Sequence, residues 1–146
     1  MTDEEHYFPL SAISAGVILL ILGTTYLMHP VPFSVVTDYF KSVEAHRAFI
    51  KPPLILLDLV IFFFNAVGVW QLVLSGLRIV FRHSVRRALE DVAGAIFSFF
   101  IAFLLTNYAL DFFTWQTTLG YFIMGIGVLV IINGIIHFAF PRRKPF

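Results

Sequence analysis

Residues 114–140 read TWQTTLGYFIMGIGVLVIINGIIHFAF, followed by Pro141 and the basic residues Arg142, Arg143 and Lys144. The stretch contains no Asp, Glu, Lys or Arg. A helix on the surface of a soluble protein keeps a polar face, and this segment has none. A bilayer-spanning helix needs about 20 mostly apolar residues, because the hydrocarbon core is about 30 Å thick and each residue rises 1.5 Å. The segment therefore reads as a spanning helix, and Pro141 stops it by removing a backbone donor.

Three more stretches meet the same test. Residues 10–28 are uncharged and lie between Pro9 and Pro30. Residues 53–77 begin at Pro52-Pro53 and carry one charge, Asp58. Residues 92–110 are uncharged. The predicted fold is all-α: an integral membrane four-transmembrane-helix bundle, forming one domain over residues 1–146. The first span is read as a retained helix, not a cleaved signal, because an acidic start (Asp3, Glu4, Glu5) replaces the basic one that a secretory signal carries.

Composition agrees. Hydrophobic residues make up 59% and charged residues 13% of the chain, against roughly 45–50% and 25% in soluble domains. Eighteen phenylalanines are more than so small a globule can hide from water. The net charge of +1 points to no nucleic-acid partner. The lack of cysteine excludes disulfides, thiolate metal sites and a cysteine nucleophile.

The basic residues predict orientation. Arg78, Arg82, Arg86 and Arg87 lie between the second and third spans, and Arg142, Arg143 and Lys144 follow the fourth. Four spans put these seven on one side and leave Lys41, Arg47 and Lys51 on the other. The expected arrangement is a multi-pass protein of the cell membrane with both termini cytoplasmic. The basic residues would set topology and meet lipid headgroups.

The first outer connection contains an amphipathic pattern, Val36, Tyr39, Phe40, Val43 and Arg47. It predicts a short interfacial helix. The turn between the last two spans is only a few residues long, and Asp111 or Thr114 is placed to cap the helix that follows. Small residues mark close-packed stripes in lipid. They recur at Ala12, Gly16 and Gly23, at Gly94, Ser98 and Ala102, and at Gly120, Gly127 and Gly134.

An ionisable residue inside a span is costly and is a functional hypothesis by default. Asp58 lies roughly 8 Å below the outer end of its helix at 1.5 Å per residue. Asn65 follows two turns later on the same face. Asn107 and Asp111 share a face near the outer end of the third span. Asp58, Asn65, Asn107 and Asp111 together form the candidate intramembrane site. Asn133 and His137, four residues apart, form a secondary polar pair near the cytoplasmic end. No histidines stand at matching depth on two spans, so no haem site is expected, and no spacing indicates a metal. No cofactor is expected. No nucleophile–base set or phosphate-binding glycine loop occurs, so the chain is not expected to be an enzyme.

Two functional expectations follow. The first is a non-catalytic accessory subunit of a larger membrane complex, with other membrane proteins as partners. The second is a small homo-oligomeric transporter or channel for an ion or small solute, working through Asp58.

Overall fold

The computed structural model describes residues 10–47, 50–81 and 84–141. Five helices account for all the regular structure among them. They are α1 (Leu10–Met28), α2 (Phe33–His46), α3 (Leu54–Val80), α4 (Val85–Ala109) and α5 (Trp115–Ala139). Helices α3, α4 and α5 are each long and apolar enough to cross a membrane. Helix α1 meets α2 at 90°, and the pair raises the number of candidate spans to four.

Local sequence explains the boundaries. Pro30 and Pro32 interrupt the chain between α1 and α2. Pro53 takes the N-cap position of α3, and its carbonyl accepts from Leu56 and Leu57 N–H at 3.0 and 3.2 Å. Thr114 caps α5, its hydroxyl accepting from Thr117 N–H at 3.3 Å. Asp111 instead sits in the preceding turn at φ 61°. Ser84 occupies the N-cap position of α4, but its hydroxyl makes no capping bond.

Helix α4 starts two turns before the apolar stretch at 92–110. Those turns carry Arg86, Arg87, Glu90 and Asp91. Their charges are matched within and between helices: Arg86 pairs with Glu90 one turn on, and Asp91 pairs with Arg78 of α3. Pairing lets the helix continue through a charged segment that hydropathy alone ends.

The extensive helix pairings are α1 on α3, α3 on α4 and α4 on α5. Helices α1, α3, α4 and α5 therefore form a row, with α1 and α5 at its two ends. Helices α3 and α4 make the closest pair, and small residues on α4 allow it. Ala88, Ala95 and Ala102 are buried at seven-residue spacing, with Ser98 among them. A Cβ on Gly94 would stand 2.9 Å from Gln71 Nε2, and one on Gly68 would stand 3.0 Å from the Phe99 ring. The stripe at Gly94, Ser98 and Ala102 is thus a real contact surface. Gly16 and Gly23 of α1, and Gly120, Gly127 and Gly134 of α5, have nothing within 4 Å of a built Cβ. Those two stripes face open space.

Gly125 is the tight point between α5 and α4, where a Cβ would fall 2.5 Å from the Phe100 ring. Gly125→Val should overpack that contact and cost about 1–3 kcal/mol, read as a lower thermal unfolding midpoint in detergent. Gly127→Val, two residues along and facing open space, should leave the midpoint of the isolated chain unchanged.

Helix α2 turns Val35, Val36, Tyr39, Ser42 and Val43 partly inward. The Tyr39 hydroxyl donates to Ile50 O at 2.9 Å, and burial raises its pKa. Phe33 and Phe40, seven residues apart, are 80% and 64% exposed. Phe40 therefore belongs to a second apolar face and not to the packed one.

Candidate functional site

Polar side chains gather at the two ends of α4. One end is basic. There Arg78 Nε donates to Asp91 Oδ2 at 2.6 Å, with the two side chains 13% and 19% exposed. A charge in low dielectric needs a partner at this distance. One turn earlier on α3, the buried Ser75 hydroxyl donates to Ala88 O at 3.0 Å.

The same end ties α5 to α4. Arg86 Nε donates to Glu90 Oε1 at 3.0 Å, and its Nη2 donates to His137 Nε2. A guanidinium has no acceptor, so Nε2 presents its lone pair and the ring proton sits on Nδ1. Nδ1–H donates to Asn133 O at 2.9 Å and lies 3.7 Å from Glu90. The pair Asn133 and His137 is thus brought together through the Asn133 backbone. The Asn133 side-chain oxygen is buried and accepts from no described residue. Arg87 is exposed in the first turn of α4. Arg82, Arg142, Arg143 and Lys144 lie outside the described residues.

The opposite end is aromatic. Lys51 pairs with Asp111, donates to Ala109 O at 3.2 Å, and stands 5.4 Å above the Tyr108 ring. It occupies the carbonyl end of α4, where a cation meets the negative pole of the helix. Phe113 stacks at a tilt on Tyr121, with ring centroids 5.5 Å apart.

Between the ends, Ser98 donates to Gln71 Oε1 at 3.2 Å. From Ser98 to Tyr108 no side-chain hydrogen bond joins α3 to α4 among the described residues. That interval is about 15 Å at 1.5 Å per residue. It is filled by Phe99 against Gly68 and by buried Ala102 and Leu104.

The four residues of the candidate intramembrane site are placed separately. Asn107 Nδ2 donates to Phe103 O of its own helix at 2.8 Å. Asp111 is held by Lys51. Asp58 and Asn65 are exposed on α3, in line with Val69, Leu72, Gly76 and Ile79 at helical spacing. Asp58 has no hydrogen bond or ion pair among the described residues. The stripe runs along the outside of the helix row, where no described residue supplies a partner for the carboxylate.

Sequence reading did not identify the Arg78–Asp91 and Arg86–Glu90–His137 contacts. The available signal was the coincidence of acidic and basic residues at the start of α4. No protein-family model, curated protein or solved structure matches the chain.

Proposed function

We propose that the chain is a non-catalytic subunit of a larger assembly in the cell membrane. In this reading α1, α3, α4 and α5 cross the bilayer, α2 lies in the outer interface, and both termini are cytoplasmic. Helix α1 has 19 residues, about 28 Å at 1.5 Å per residue, close to the thickness of the hydrocarbon core and within the range of about 17–25 residues that spanning helices use, so α2 is not needed to complete the span. The right-angled bend then lays α2 along the surface. The basic end takes the cytoplasmic side by the excess of arginine and lysine there.

The observation that carries the subunit reading is the exposed stripe of α3. Asp58 sits about 6 Å into the helix from Leu54, and Asn65 about 10 Å deeper, at 1.5 Å per residue. A charged side chain facing lipid costs about 2.5–3.5 kcal/mol at mid-membrane and less toward the interface. Helices from other chains would cover the stripe and give the carboxylate a partner. The open glycine stripes on α1 and α5 supply two further surfaces for close helix approach.

The deciding experiment is the native mass of the protein extracted in mild detergent, with every co-purifying chain identified. Different proteins in fixed ratio are expected. A bare monomer or a pure homo-oligomer overturns the reading. A homo-oligomer would favour the transporter alternative, because the same exposed Asp58 would then face another copy. Within one chain the 15 Å apolar interval between Ser98 and Tyr108 offers an ion no polar relay along the α3–α4 seam.

A further inference from the structure

An apolar groove of about 580 Å³ opens between three helices near the aromatic end. Leu57 and Phe64 of α3, Leu104 and Tyr108 of α4, and Trp115 and Phe122 of α5 form its walls. Its size lies inside the range of roughly 300–1,000 Å³ typical of small-molecule sites. Trp115 to Phe122 spans about 10 Å of α5 at 1.5 Å per residue. The groove thus runs from the end of the helix row toward its middle.

Its chemistry is graded along that length. Thr118 is a polar wall residue, but its hydroxyl is spent on Thr114 O at 2.9 Å. The shaft suits hydrocarbon. At the mouth stands Pro52, and the adjacent Lys51 holds its ammonium 5.4 Å above the Tyr108 ring. That ammonium has three N–H groups. Ala109 O and the Asp111 carboxylate take two of them. The Asp111 side chain is 83% exposed, a counter-ion that solvent or a stronger anion can replace. A second apolar cleft, of about 330 Å³ between α4 and α5, likewise has no charged residue in its lining. The first differs in having Lys51 beside two of its wall residues, Pro52 in sequence and Tyr108 in space.

We infer that this groove holds an acyl chain of an anionic phospholipid, with the phosphate on Lys51. The complementary charge selects an anionic headgroup, and the shaft length selects a chain that enters from the bilayer. The inference rests on the membrane placement proposed above and is independent of what else the chain assembles with.

The chain has two tryptophans, so Trp70→Phe leaves Trp115 as the only one. The full chain carrying that substitution is reconstituted in phosphatidylcholine vesicles with an equal fraction of chain-brominated phosphatidylglycerol or chain-brominated phosphatidylcholine. Bromine quenches tryptophan on contact, so Trp115 reports the lipid in the groove. The brominated phosphatidylglycerol should associate about fivefold more strongly, the gain expected for one lysine near an anionic headgroup. Lys51→Gln should remove the preference. Asp111→Asn, which frees Lys51 of its counter-ion, should increase it. Equal quenching by the two lipids, or a preference that survives Lys51→Gln, overturns the site and leaves ordinary boundary lipid. No quenching by either lipid overturns both the site and the membrane placement of this end.

Discussion

Asp91→Asn should destabilise the isolated chain by about 3 kcal/mol, the low end of the cost of breaking a buried ion pair. The substitution leaves the Arg78 guanidinium among buried groups with no anion. At 13% exposure it has little access to water that would replace the lost carboxylate. Arg78→Gln alone should cost a similar amount by stranding Asp91. The double variant Arg78→Leu with Asp91→Leu should recover most of the loss, because two packed apolar side chains often replace a buried pair without penalty. Unfolding of these proteins in the same detergent, with Arg78→Gln combined with Asp91→Asn to close the double-mutant cycle, measures the coupling. Strictly additive single effects would mean that the two groups do not stabilise each other, and the account of why α4 extends through its charged turns would fail.

That pair also marks the limit of sequence reading here. Each helix boundary set by a local chemical event was legible. Proline flanks α1 and opens α3, and a threonine cap opens α5. What holds the charged first turns of α4 was not legible, because it includes a contact with Arg78 thirteen positions away in sequence. Faces within one helix were legible as well. Asp58 and Asn65 do share a stripe, and Gly94, Ser98 and Ala102 do line a contact. What a helical repeat cannot fix is how one helix is rotated against its neighbour. Asp58, Asn107 and Asp111 were expected to converge from similar depth alone, with Asn65 two turns further along the face of Asp58. Depth places Asn107 and Asp111 near the aromatic end, but rotation gives Asn107 to its own backbone and Asp111 to Lys51. The glycine stripes of α1 and α5 teach the same lesson from the other side. Their spacing matches that of a contact surface, and none of the described residues reaches those glycines.

Asp58→Asn should leave the folding stability of the isolated chain unchanged and weaken its assembly about thirtyfold or more. The first half follows from exposure, since no described side chain loses a bond when the charge goes. The second half follows from the subunit proposal. Removing one member of a desolvated interfacial charge pair costs about 2 kcal/mol or more, which is close to thirtyfold in a dissociation constant at 1.4 kcal/mol per decade. Native gels of mild-detergent extracts, run beside thermal unfolding of the purified chain, separate the two halves. If assembly persists, the α3 stripe is not where partners bind, and the subunit reading loses the observation that carries it. If the chain proves to be a homo-oligomer and the variant instead abolishes ion-coupled flux in liposomes, Asp58 belongs to a transport path between copies. Unchanged assembly together with unchanged flux removes Asp58 from both readings, and the open faces of α1 and α5 become the surfaces to alter next, starting with Gly127→Val.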